Sequence, residues 1–313
     1  GHDLYRSALE AEGGSGGIYA GHWAIISPDP EAEARRLAPH ILYTRHGDPH
    51  IDAVAVERRG HVMIVTINRP EAMNALSAYI FEHGIKALET FASDPEVKCV
   101  VVTGTGRAFC AGGDVKSMNE GGALVGATTE QKVDRQLGIH RMSGLLNSMP
   151  KVTIAALNGV AAGAGFSIAL ACDLRIASEK ARFTTAFAKV GFAGDFGITW
   201  PLVRTLGEAK AKELLFLSEM ISVEEAYRLG LVNKVVPEAE FEGAVAELAG
   251  RIASGAQLAY RYMKENVRLA STENYLTMLE REAFTQIYTG ETEDHKEGAR
   301  AFVEKRAPVF KGY

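Results

Sequence analysis

Residues 153 to 173 read Thr-Ile-Ala-Ala-Leu-Asn-Gly-Val-Ala-Ala-Gly-Ala-Gly-Phe-Ser-Ile-Ala-Leu-Ala-Cys-Asp, an apolar strand that ends in a turn of small residues and opens directly into a helix. From Val160 to Gly165 the chain holds only Val, Ala and Gly, so a ligand can approach the main chain closely. The first N–H groups of the helix that follows have no internal partner. Bare donors of this kind suit an oxygen that gains negative charge. A second turn of the same kind lies upstream at Arg107-Ala-Phe-Cys-Ala-Gly-Gly-Asp-Val-Lys116, after the strand-like run Cys99 to Thr103. One N–H donor from each turn would form an oxyanion hole.

Around this stretch the pattern predicts strands at 53 to 58 and 62 to 67, a helix from Ser77 to about Phe91, and strands near 97 to 103 and 152 to 157. Strands then alternate with helices. Gly207 is predicted to close a short helix begun near Thr199, with Pro201 tolerated in its first turn. Ser222 with Glu225 reads as a capping box for the next helix. Beyond about Glu238 the periodicity is helical almost to the end. Three segments follow: an N-terminal extension, 1–51, with the linker-like stretch Gly13-Gly-Ser-Gly-Gly17 and no function assigned to it; an α/β core, 52–237; and a C-terminal helical region, 238–313.

At 313 residues and 47% hydrophobic content the chain can bury a full core. A formal charge of −5 with scattered basic residues gives no electrostatic reason to expect nucleic acid or an acidic membrane as partner. Cys99, Cys110 and Cys172 lie in apolar strand, turn and helix contexts without metal-ligand spacing, so they read as reduced core thiols and point to a cytoplasmic setting, with no metal site expected. No apolar run approaches the ~20 residues needed to span a bilayer, and no signal-peptide pattern opens the chain.

From about Asp52 to Tyr313 the chain resembles the crotonase superfamily, the enoyl-CoA hydratases and isomerases. The resemblance rests on Asn68-Arg-Pro-Glu-Ala-Met-Asn-Ala-Leu76, Ala108-Phe-Cys-Ala-Gly-Gly-Asp-Val115, Asn158-Gly-Val-Ala-Ala-Gly-Ala-Gly165, Ile221-Ser-Val-Glu-Glu-Ala-Tyr-Arg-Leu-Gly-Leu-Val-Asn-Lys-Val-Val-Pro237 and Ala301-Phe-Val-Glu-Lys-Arg306, in that order. It implies an α/β fold, a crotonase-like spiral of β-β-α units with a C-terminal helical region, although no fixed-period repeat shows in the sequence. It further implies that the N–H groups of Gly113 and Ala164 hold the thioester carbonyl of an acyl-CoA substrate, with no prosthetic group. Met73, Ala75 and Ala111 would lie against the CoA. Phe302 and Lys305, three apart on a helix and so on one face, would approach its adenine end from a neighbouring subunit of a homotrimer or a dimer of trimers.

The carboxylates depart from the family's hydratases, which use two glutamates. Ser167 and Phe187 stand at those positions, and a serine at its ordinary pKa cannot exchange a proton as a glutamate does at neutral pH. Asp195, in Val190-Gly-Phe-Ala-Gly-Asp-Phe-Gly197, matches the catalytic aspartate of the family's dienoyl-CoA isomerases and ring-isomerising enzymes, and the nucleophilic aspartate of 4-chlorobenzoyl-CoA dehalogenase. Aromatic neighbours Phe187, Phe192 and Phe196 would partly desolvate it and strengthen it as a base; the bland alternative is an Asx-turn or helix-capping residue. His140 falls where the dehalogenase carries the histidine that activates water. Ser167 could orient substrate or water, or be a packed helix serine. With Trp200, the three phenylalanines suggest a pocket for a ring-bearing or bulky acyl group.

The activity expected is enoyl-CoA isomerisation with Asp195 as base. Hydration, or dehalogenase-like and hydrolytic water chemistry, is the alternative, and loss of both glutamate positions leaves room for a non-catalytic acyl-CoA-binding pseudoenzyme. Gly165-Phe-Ser-Ile-Ala169 nearly spells a serine-hydrolase elbow, with Asp195 and His295 in the α/β-hydrolase order, but six small residues separate strand from serine. Asp195-Phe-Gly197 lacks the other kinase motifs. Gly104-Thr-Gly106 lacks the third glycine of a dinucleotide site.

Overall fold

The computed structural model describes residues 53–114 and 126–313; the extension 1–51 lies outside them. Each of three consecutive turns of the chain contributes one strand to a large sheet, one to a small sheet, and then a helix. The large-sheet strands are β3 (Cys99–Gly104), β5 (Val152–Leu157) and β7 (Leu174–Ser178); the small-sheet strands are β4 (Ala108–Cys110), β6 (Val160–Ala162) and β8 (Arg182–Thr184). The helices are α2 (Thr129–Ser148), α3 (Ala164–Ala171) and α4 (Thr199–Leu217). This is the β-β-α spiral.

The large sheet runs β1-β2-β3-β5-β7-β10, where β1 is Val54–Arg59, β2 is Val62–Ile67 and β10 is Lys234–Val236. β1 pairs antiparallel with β2, and every other pair is parallel. The small sheet runs β4-β6-β8-β9, with β9 (Ile221–Ser222) antiparallel on β8. Parallel strands covered on both faces read as continuous apolar runs, and β3 shows why. Val100 and Val102 face one cluster, with α1 (Ala78–Ser93), α2 and α3; Cys99 and Val101 face a second, with Phe241, Val245 and Ala249 of α6 (Phe241–Ala253). Fully buried Phe109, Phe166 and Phe183 anchor the spiral's centre, each contributing up to ~3 kcal/mol of transfer free energy.

Local signals set several boundaries. Ser77 caps α1 by accepting from Ile80 N. Gly207, at φ 74 and ψ 167, breaks the α4 segment, so the helix begun at Thr199 stops where expected and a second one continues to Leu217. Ser222 Oγ accepts from Glu225 N to cap α5 (Val223–Arg228), but the reciprocal half of the expected capping box is missing, because the Glu225 carboxylate pairs with Arg228 instead. The last helices are α7 (Gln257–Leu269), α8 (Tyr275–Gly290) and α9 (Glu293–Glu304). All three cysteines are buried free thiols.

Candidate active site

Adjacent parallel strands end on the same side of a sheet, and ligands in α/β folds gather at those carboxyl ends. Strands β4, β6 and β8 are such neighbours. The loops that follow them begin at Ala111, Gly163 and Thr185, so residues far apart in sequence arrive at one edge.

The first two loops interlock. Residues 111–114 lie against 73–76 through Ala111 N to Met73 O (3.0 Å), Leu76 N to Gly112 O (2.7 Å) and Asp114 N to Leu76 O (3.3 Å), a parallel bridge between Leu76 and Gly113. In such a bridge the flanking residues make the bonds, so the N–H of Gly113 faces away from Leu76. The start of α3 lies beside this loop: a Cβ on Gly112 (φ +98) would stand 2.9 Å from Ala162 O and 3.5 Å from Ala164 N. Gly165 packs still closer on β4, where a Cβ would lie 2.2 Å from Cys110 O. Ala164 is the first residue of α3 and has a negative φ, as an L-residue donor requires. Among the described residues neither Gly113 N–H nor Ala164 N–H has a protein acceptor. Arg69 staples the rim, donating to Ala75 O (2.8 Å) and to Asp114 Oδ2 (3.2 Å).

The third loop brings Asp195 to α2. Its carboxylate meets His140 Nε2 through Oδ1, accepts from Gln136 Nε2 through Oδ2 at 2.7 Å, and accepts from Phe196 N at 2.9 Å. An ionised carboxylate only accepts, so Nε2 is a protonated nitrogen of His140; in the neutral imidazole Nδ1 is then the acceptor. The carboxylate offers about four lone-pair positions; these three donors leave one. The ring of Phe196 packs on His140 (centroids 4.9 Å) and on Phe81 (5.5 Å), with its backbone held at φ 51, a conformation costing an ordinary residue about 1–3 kcal/mol. Asp195 is therefore not a carboxylate left to aromatic neighbours: it is hydrogen-bonded on both oxygens, and its one local bond, from the N–H of the next residue, is not an Asx-turn. Gln136 went unread in the sequence, although it lies one turn from His140.

A family model, enoyl-CoA hydratase/isomerase, matches residues 57–313. The chain belongs to this family. It is 37% identical over 261 residues to a short-chain-enoyl-CoA hydratase of Clostridium acetobutylicum, covering 82% of this chain and 96% of that protein. It is 34% identical over 251 residues to the 1,2-epoxyphenylacetyl-CoA isomerase of Escherichia coli, covering 80% and 95%. A solved enoyl-CoA hydratase from Polaromonas sp. JS666 superposes with a TM-score of 0.78 at 35% identity, over 82% of this chain and 99% of that one. The crotonase fold expected from the sequence is thus the fold found.

The other residues singled out in the sequence take varied places. Ser167 is 1% exposed and its hydroxyl donates to Gly163 O at 3.0 Å, the back-bonding of a packed helix serine. His295 is exposed on α9, while Asp195 is occupied by His140, so the serine-hydrolase triad is not assembled. The aromatic set divides. Phe187 and Phe196 are buried, Phe187 beside Gly163; Phe192 is 55% exposed and Trp200 42% exposed, stacked under Arg204. Met73 (φ 54), Ala75 and Ala111 form the partly exposed rim of the first loop. Phe302 is 86% exposed, but Lys305 is the left-handed cap of α9 at φ 53, so the two do not share a helical face as expected. Among the described residues no helix is long and apolar enough to cross a membrane, and no cluster of metal-ligating side chains forms.

Proposed function

We propose that the protein is an enoyl-CoA isomerase in which Asp195 moves a proton at a thioester enolate. The carrying observation is that the third loop and α2 present a carboxylate with one open lone-pair position, fixed by His140, Gln136 and Phe196 N. The thioester oxygen of a 3-enoyl-CoA would lie between Gly113 N–H and Ala164 N–H, where a preorganised donor is worth ~2.7–4 kcal/mol in the transition state. Asp195 takes a proton from the carbon next to the thioester, the electron pair moves onto the oxygen as a dienolate, and the same proton returns two carbons further on. The double bond shifts and nothing is gained or lost. Met73, Ala75 and Ala111 border the CoA chain, and Phe302 and Lys305 approach its adenine end from a second copy in a homotrimer or dimer of trimers. A ring-bearing or bulky acyl group is favoured by Phe187 and Phe196 and by the likeness to the E. coli 1,2-epoxyphenylacetyl-CoA isomerase.

A second reading rests on His140. With Nε2 engaged by Asp195, its Nδ1 can accept a proton from water, which would give hydration or thioester hydrolysis. Mass spectrometry of products from 2-enoyl-, 3-enoyl- and aryl-CoA thioesters in ¹⁸O-labelled water separates the two. A positional isomer free of ¹⁸O supports isomerisation; labelled hydroxyacyl-CoA or acid sinks it in favour of water chemistry. Tight CoA binding with no turnover would mean a pseudoenzyme.

A further inference from the structure

We infer that Gln136 is a positioning residue for Asp195, forming with His140 a two-pronged clamp that aims the carboxylate; the inference rests on the role proposed for Asp195. Gln136 and His140 are four apart on α2 and so project on one face. The two prongs take different oxygens, Gln136 Nε2 on Oδ2 and His140 Nε2 on Oδ1, while Phe196 N also binds Oδ1. Among the described residues, Oδ2 thus takes its hydrogen bond from Gln136. A carboxylate held on one oxygen can rotate about its Cβ–Cγ bond, whereas one held on both keeps its plane. With Oδ1 carrying two donors, the open position falls on Oδ2, and the direction of that lone pair is set by where Gln136 donates. The 3.3 Å approach of Gln136 Nε2 to His140 Nε2 fits this arrangement: both nitrogens are donors turned toward the same anion rather than bonded to one another.

The side chain must donate, and shape alone does not suffice, which makes the idea testable. Gln136→Met keeps the length without the donor, and Gln136→Glu keeps the shape but sets a second carboxylate against Oδ2. Gln136 is partly exposed, so both variants are expected to fold. In the full-length protein, kcat for the isomerised thioester is expected to fall roughly 10- to 100-fold in Gln136→Met, the range of one hydrogen bond to a charged group, and further in Gln136→Glu, with KM little changed in both. A packing role would instead make the isosteric Glu the milder change. In ¹⁵N-histidine-labelled protein, with His140→Gln assigning the signal, the Nε2 resonance of His140 is expected to move in Gln136→Met because the carboxylate facing it has turned. Wild-type kcat in Gln136→Met, or an unmoved resonance, overturns the inference. The resonance needs no turnover, so it tests the clamp even if Asp195→Asn proves fully active and the proposed chemistry fails.

Discussion

Replacing Gly165 by Ala should impair catalysis without touching either proposed oxyanion donor. The added Cβ would stand 2.2 Å from Cys110 O, 2.7 Å from Cys110 Cβ and 2.8 Å from Cys110 C. Carbon–oxygen contacts close to no less than about 3.3 Å, and the obstacle is buried backbone of β4, so the start of α3 must retreat by roughly 1 Å. Ala164 is the preceding residue and its N–H moves with it, widening the gap to Gly113. A misplacement of about 1 Å costs on the order of 10²-fold in rate, close to outright loss of one donor. Overpacking adds about 1–3 kcal/mol of destabilisation, against a gain of up to ~1 kcal/mol from the better helix former. Gly144→Ala on α2 is the matched control, because nothing lies within 4 Å of its Cβ position; it should show the gain and leave kcat alone. Steady-state turnover, CoA affinity by calorimetry and denaturant unfolding would be measured on both. If Gly165→Ala keeps wild-type kcat, the alignment of the two turns is not what holds the thioester.

Four other outcomes are expected. Asp195→Asn should lower turnover by ~10²–10⁴ while CoA affinity stays nearly constant, and wild-type turnover would remove Asp195 from the mechanism. Asn74→Ala should destabilise the fold by at least ~2 kcal/mol in urea unfolding, since its buried amide donates to Thr105 O (2.9 Å) and Ala108 O (2.6 Å), accepts from Arg69 N, and holds φ 58; a smaller loss would mean water replaces it. Burial, the first cause in each case, pushes the thiols of Cys99, Cys110 and Cys172 up to about 12 from an ordinary 9.0. Each folded thiol thus keeps its proton where the unfolded one loses it. Their contribution to stability is whole below pH 9 and declines as pH rises from there to about 12, so a serine variant at these positions should show a shallower alkaline loss of stability. At pH 8 a thiol reagent should label none of the three until the protein unfolds.

What could be read in the sequence was whatever local chemistry dictates. Both small-residue turns were legible because close approach to the main chain needs small residues, whatever else surrounds them. The strands of the large sheet were legible because parallel strands covered on both faces must be apolar on both, as Cys99 to Val102 are. The left-handed Lys305 was missed because no glycine marks it, although Pro308 shortly after is a usual companion of a helix end. The pairing of His140 with Asp195 could not be derived from spacing at all. These residues are 55 apart, and what joins them is the packing of α2 beside the loop after β8, a property of the closed spiral. The resemblance pointed to each residue separately; the contact between them, and Gln136 with it, needed the fold.

That division has a chemical counterpart. The proposed oxyanion donors are main-chain atoms that follow β4 and β6, so side-chain substitutions that spare the backbone leave them in place. The groups placed to handle the proton come from α2 and the third loop, which meet across the spiral. Chemistry at such a site can change while thioester recognition persists, because the two sets of groups are carried by different elements. In this chain Ser167 is turned back onto its own helix and Phe187 is packed over Gly163. Neither can exchange a proton as a carboxylate does, and in the proposed mechanism that task falls to Asp195 beside His140.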